Sequence, residues 1–417
     1  MQIHPFLAIR TPAHRASEVS CPPYDVVDRS EAGALARKEN SFMRIIRPEV
    51  DFPIEQDPHE SKVYERAKEN LSRLLNRGVM KRESAPCMYV YRQARQGRRQ
   101  AGLVCCVDVD DYRRGNIRRH ELTRPDKELD RMQHMMEVGA HCEPVLLAVL
   151  GQAELVRQLI RDMNYRPAMH FTARDGVTHT LWPVQEVDRY LRIFSEVDRM
   201  YIADGHHRCA AASRVAHALQ DSPTKTESDE IQRFPAVIYP AEELVILPYH
   251  RLARFGSGKT ASAVAQMLAA VGSIEHIPET EDPSPSNRGE IGIFFDQRWW
   301  RFRFPPVEGA SALDRLDVVR LSRTILDPIL GIADERTDPN VSFLGGRTIE
   351  ELASSVLSGR FDIAFAMYPT SIEELIEVAQ ANLIMPPKST WFDPKIRSGL
   401  FVHTNTSQYN QELPSQP

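Results

Sequence analysis

Apolar residues return every three or four positions over residues 28–38 and 58–77, a spacing that puts them on one face of a helix, and Gly78 stands where the second helix would end. Before them, Pro22 and Pro23 force extended backbone through Ser20-Cys21-Pro-Pro-Tyr24-Asp25-Val26-Val27. From Cys87 the period drops to two. Residues 88–92 and 101–109 read as strands flanking a basic turn at 95–99, hence a hairpin. A polar run at 118–127 leads into a helical segment ending at Gly139. A buried strand at 144–150, a helix at 153–162, a strand at 178–183 and a further helix precede a short apolar strand that ends at Asp204. After a Ser/Thr/Asp/Glu loop at 221–229 and a strand at 234–239, strands (244–249, 291–295, 299–304) alternate with helices (260–271, 349–358, 372–382). The mixture predicts an α+β protein of mixed sheets with flanking helices. Its expected parts are a helical and loop region (1–86), a central α+β domain (87–240), a C-terminal α+β domain (241–404) and a disordered tail (405–417).

Composition narrows the function classes. The chain has 417 residues and a formal net charge of −5, with a pI near 6.3, which disfavours a nucleic-acid coat despite basic clusters at 95–99 and 113–119. No run of about 18 apolar residues and no charged-then-apolar leader is present, so a cytoplasmic protein is expected, with no membrane partner. Six cysteines without a Cys-x-x-Cys pair fit reduced thiols. Oligomeric state is left open.

The chemistry concentrates in Tyr201-Ile-Ala-Asp204-Gly205-His206-His207-Arg208, a strand running through Asp-Gly into a helix with three cation-capable side chains in its first turn. Free N–H groups and the positive helix end favour a phosphate or carboxylate there, with Arg208 as a bidentate donor. The plainer alternative is a capped corner with solvated histidines. A second constellation is His120, Glu121 and Thr123, followed by Arg124, Asp126 and Lys127: a base and an anion cradle facing one cleft. A third is the proline-framed loop 385–395, whose Lys388, Ser389, Thr390 and Lys395 suit a phosphate, although Trp391 and Phe392 suit a core. Gly256-Ser-Gly258-Lys259-Thr260 imitates a P-loop, but the first glycine is missing, since position 253 is Ala, so Thr260 reads as a helix cap. Adjacent His206 and His207 diverge by about 100° on a helix and do not share one ion, so no dedicated metal site is expected. Magnesium carried in by a nucleotide, on Asp204 or Asp25, is the more natural cation.

These motifs resemble, in order, those of the bacterial family of unknown function DUF1015: Ser20 to Val27, Arg119 to Glu128, Tyr201 to Arg208 and Met385 to Phe392. The order of His-Glu-x-Thr, helix, Gly, strand and Asp-Gly-His-His-Arg is also similar to the ParB/sulfiredoxin-like fold and its free serine kinases. That resemblance implies ATP (or ADP) with Mg²⁺ as cofactor and phosphoryl transfer to free L-serine or a similar hydroxy metabolite. Glu121 would be the base, with His120 and Asp204 beside it in catalysis; Gly205, His206, His207 and Arg208 would cradle phosphate. Lys388, Ser389 and Thr390 are expected at the nucleotide and Tyr24, Asp25, Thr123 and Arg124 at the small-molecule substrate, although Tyr24, Asp25, Lys388, Ser389 and Thr390 have no matched role in those kinases. The competing reading is a ParB-like nucleotide-sensing regulator without kinase activity.

Overall fold

In the computed structural model, residues 1–220, 229–256 and 258–405 are described. Residues 221–228 of the expected loop, Ser257 of the P-loop imitation and 406–417 of the expected tail lie outside them. The fold is α+β, and it divides into two compact units, one of residues 1–118, 123–244 and 394 onward, the other of 119–122 and 245–393.

The first unit is built on a nine-stranded mixed sheet. Its strands are β1 (Ile3–His4), β2 (Tyr89–Arg95), β3 (Arg98–Asp108), β4 (Ile117–Arg118), β5 (Val145–Val149), β6 (Met169–Thr172), β7 (Thr178–Pro183), β8 (Met200–Asp204) and β9 (Arg233–Pro240). They lie in the order β4-β8-β5-β9-β3-β2-β7-β6, with β1 also on β3. The hairpin is tighter than the expected 95–99 turn. Gln96 (φ 50°) and Gly97 (φ 81°) take left-handed backbone, closing a two-residue turn with Arg95 opposite Arg98.

The longer helices of this unit are α1 (Arg29–Ala36), α2 (Ser61–Asn76), α3 (Pro125–Val138), α4 (Ala153–Asp162), α5 (Val187–Ser195) and α6 (His206–Gln220). Asp28 closes a capping box with Glu31 at the start of α1, and Gly139 ends α3 in the left-handed region (φ 71°). Leu155, Leu159, Tyr190, Ile193 and Phe194 of α4 and α5 are buried with Val90, Leu103, Cys105, Leu147 and Ile238 of the sheet. The chain then returns at its C-terminal end: Phe401–Thr404 forms a strand between Ile9–Arg10 and Ala140–His141. That strand was not visible in the periodicity.

The second unit carries a six-stranded antiparallel sheet of β10 (Tyr249–Ala253), β11 (Ser273–His276), β12 (Glu290–Phe295), β13 (Arg298–Arg303), β14 (Val341–Gly345) and β15 (Ile363–Ala366), in the order β11-β13-β12-β15-β10-β14. Three of its helices are α7 (Ala261–Val271), capped by Thr260, α8 (Ile349–Leu357) and α9 (Ile372–Gln380). The strand expected at 244–249 is divided. Pro248 offers no N–H to a ladder, so Ile246–Leu247 pairs with Trp391–Phe392 while β10 starts afresh in the larger sheet. Among the described residues, no helix is long and apolar enough to cross a membrane.

Candidate functional site

The Asp204 corner follows from local chemistry. β8 ends at Asp204, Gly205 takes φ +102°, and α6 begins at His206. Only glycine enters that backbone region without strain, and here a Cβ would also stand 3.0 Å from the Arg208 Nε. One carboxylate oxygen of Asp204 accepts from Arg208 Nη2 at 2.6 Å and the other from Lys395 Nζ at 2.8 Å. These two cations, with His206 nearby, hold the Asp204 carboxyl well below the usual carboxylate range against the opposing effect of burial. Arg208 is itself buried, and its Nη1 donates to the Pro144 carbonyl. Both terminal nitrogens are therefore engaged within the protein, unlike the outward bidentate donor expected from the sequence.

Beside Arg208 stands buried Glu143, which accepts from the Tyr24 N–H (3.2 Å) and the Ser398 hydroxyl (2.7 Å). Burial pushes its pKa up, opposed by Arg208 and the Ser398 hydrogen bond. The Arg131 guanidinium lies 4.3 Å from the Tyr24 ring centroid and donates twice to Asp130, at 3.1 and 2.9 Å. Burial raises the Tyr24 phenol, with Asp25 adding to the shift. The Pro-Pro-Tyr-Asp segment is clamped from both sides: Arg47 donates to the Tyr24 and Val27 carbonyls (2.9 and 2.8 Å), and Arg397 to the Ser20 carbonyl (3.0 Å). Asp25 is exposed and lies within electrostatic reach of Arg208 and Glu143.

Four stretches of the first unit thus meet: residues 20–27, the strand ends at 143–144 and 204–208, and the C-terminal return at 394–398. Residues 20–27 and 204–208 fall in motifs that the sequence singles out, whereas Glu143, Arg397 and Ser398 do not. The signal for Glu143 was thin, a carboxylate just before the proline that opens a buried strand.

The other expected residues are placed as follows. His207 Nε2 accepts the Arg124 N–H at 3.1 Å, and the Arg124 side chain pairs with Asp126 at 2.8 Å. The Thr123 hydroxyl donates to Glu128, which also receives Arg214 at 2.7 Å. Thr123 and Arg124 are thus spent on the start of α3. In the second unit the His120 carbonyl accepts the Met385 N–H at 2.8 Å, and Glu121 forms a parallel bridge with Met385. Ser389 is buried, its hydroxyl turned onto the Pro386 carbonyl of its own loop at 2.7 Å. Lys388 is exposed at φ 58°, and buried Arg251 donates to its carbonyl and to that of Pro387. Thr390 is half-buried, and Trp391 packs edge-on against Tyr249 at 5.4 Å. This loop is organised first by its own hydrogen bonds and aromatic packing.

An α+β protein with an acid-and-base cluster gathered at a strand–glycine–helix corner is the class this geometry defines. The chain belongs to the family described as "Protein of unknown function (DUF1015)", whose model matches residues 3–319. No curated protein matches it. Among solved structures it is similar to a free serine kinase in complex with AMP (13% identity, TM-score 0.38, 71% of this chain and 92% of that one). It is also similar to C-terminally truncated SbnI from Staphylococcus aureus (12%, 0.40, 74% and 90%) and to a conserved hypothetical protein from Pyrococcus furiosus (14%, 0.38, 72% and 95%). Likenesses this slight carry no argument about activity.

Proposed function

We propose that the chain is a nucleotide-dependent phosphotransferase that moves a phosphoryl group from ATP or ADP to the hydroxyl of free L-serine or a similar small hydroxy metabolite. The observation that carries this reading is the corner itself: Gly205 in left-handed backbone at the N-terminus of the 15-residue α6, with Lys395 brought in beside it. The first N–H groups of a helix have no partner inside it, and the helix dipole adds a partial positive charge. Phosphoryl transfer asks mainly for charge neutralisation and alignment, which these supply.

Within this reading Arg208 positions Asp204 and the Pro144 carbonyl rather than gripping phosphate. Mg²⁺ delivered by the nucleotide would need carboxylate oxygens. Asp204 already accepts from two cations and Asp25 is exposed, so Asp25, or Asp204 beside it, would hold the ion, which would supply charge neutralisation on the phosphates. Glu121 is assigned the base from its motif. The test is incubation of the purified protein with ATP or ADP, Mg²⁺ and a pool of hydroxylated metabolites, with mass-spectrometric detection of a phosphorylated product. Nucleotide binding without any product would favour the regulator instead.

A further inference from the structure

Four consecutive carbonyls of the proline-framed loop are each held by a side chain. The Ser389 hydroxyl donates to Pro386 at 2.7 Å, Arg251 Nη2 to Pro387 at 3.2 Å, Arg251 Nη1 to Lys388 at 2.9 Å, and the Thr370 hydroxyl to Ser389 at 3.0 Å. A surface loop can leave such groups to water. Lys388 takes left-handed backbone at φ 58°, which a lysine adopts at a cost and keeps only where its surroundings fix it. Met385, at the start of the loop, then carries residues 120–121: its N–H donates to the His120 carbonyl at 2.8 Å, and it forms a parallel bridge with Glu121. The backbone of the assigned base therefore hangs on this loop.

Arg251, on β10, is the centre of the clamp. It is fully buried, and its Nη1 also donates to the Tyr249 carbonyl at 2.6 Å. Its guanidinium lies 5.0 Å from the Phe343 ring centroid, and its Nε donates to buried Glu335 at 3.3 Å. Glu335 in turn accepts the Ser322 hydroxyl. Burial lowers the Arg251 pKa, opposed by Glu335, Tyr249 and Glu121, so Glu121 lies within the field of the guanidinium. An ion pair this deep is not required for stability, since well-packed apolar residues of like volume often serve as well. What an apolar residue cannot do is hold three carbonyls of two segments at fixed angles with one planar fork.

We infer that Arg251 is a positioning residue for the transfer reaction, fixing the loop 385–390 and through it the place at which Glu121 meets the acceptor hydroxyl. The inference rests on the phosphotransferase reading above and on Glu121 as its base. Its test is the steady-state rate of the full chain with Mg²⁺, L-serine and whichever of ATP or ADP wild type uses. Arg251→Lys and Thr370→Val are compared, each alone and combined with Glu121→Gln. Lysine keeps a cation for Glu335 but not the fork. Valine keeps the shape of threonine without its hydroxyl, so this second variant decides the matter if the first does not fold. Expected are a kcat roughly ten- to a hundredfold lower in Arg251→Lys and a few-fold lower in Thr370→Val, with calorimetric nucleotide affinity within about two-fold of wild type. Neither substitution should lower kcat further once Glu121→Gln is present. A merely structural role would lower kcat by the same factor in both backgrounds. Equal losses in the two backgrounds, or kcat within about two-fold of wild type in the folded single variants, take this role from Arg251 and leave the phosphotransferase reading standing. Wild type that transfers no phosphoryl group to any hydroxylated acceptor overturns both.

Discussion

Asp204→Asn removes one negative charge and almost no volume, so its effect isolates what the carboxylate does. In the wild type that carboxylate receives two charge-assisted bonds, from Arg208 at 2.6 Å and Lys395 at 2.8 Å, and the Arg208 side chain is only 6% exposed. Breaking a buried pair by deleting one partner costs roughly 3–5 kcal/mol, because a charge is left without compensation. Asparagine retains a carbonyl for one bond, and Pro144 and Glu143 still face Arg208, so about 2–4 kcal/mol is expected at pH 7. The pH dependence gives a second signature. The folded carboxyl is held below its unfolded value of about 3.9, so its stabilisation is complete above that value and is lost as pH falls below it. The gap between wild type and variant must therefore narrow below about pH 4. Hydrogen exchange at residues 200–215 under native conditions, read at pH 7 and at pH 3.5, measures both effects locally. A difference under about 0.5 kcal/mol at pH 7, or one that grows on acidification, would refute the ion-pair account.

Gly205→Ala forces a Cβ to 3.0 Å from Arg208 Nε at φ +102°; a destabilisation of about 1–3 kcal/mol and weaker nucleotide binding are expected, and an urea-midpoint shift near zero would contradict this. His134, His141 and His179 of the first unit are buried and lowered to about 4, 3 and 3, mainly by burial, so each stays neutral in the folded state. Such a group stabilises fully above its unfolded value of about 6.5 and loses about 1.4 kcal/mol per pH unit below it. Glu143, Glu243 and Asp317, raised by burial, act in the opposite direction, while His250 and His403, also buried and lowered, act with the three. Urea unfolding should thus show the protein several kcal/mol less stable at pH 5 than at pH 7, and equal stability would count against neutral burial. Glu121→Gln should cut turnover of a demonstrated transfer reaction by about 10² to 10⁴ with nucleotide affinity unchanged; activity within a few-fold of wild type would move the base elsewhere.

Much of the local structure was legible because it depends on neighbours in sequence. The Gly139 terminus of α3, the Thr260 cap and the Asp-Gly corner are all written in a few adjacent residues. The partners of the corner were harder to read. Arg208 looks like an outward cation until Pro144 and Asp204 are folded around it, and Ser389 looks like a ligand hydroxyl until Pro386 accepts it. Lys395 reaches Asp204 across 191 residues of chain, and Ser398 reaches Glu143 across 255. No periodicity encodes such pairings, because they depend on where the C-terminal return is tied down by Gln93 and Gln100.

The most direct test of the central claim is phosphorus NMR of the purified chain with Mg²⁺, L-serine and, in parallel runs, ATP or ADP. The account predicts growth of a phosphomonoester signal together with the shortened nucleotide, and its disappearance when serine and related hydroxy metabolites are omitted. Nucleotide left intact with every hydroxylated acceptor tried, by protein shown to be folded, would contradict it.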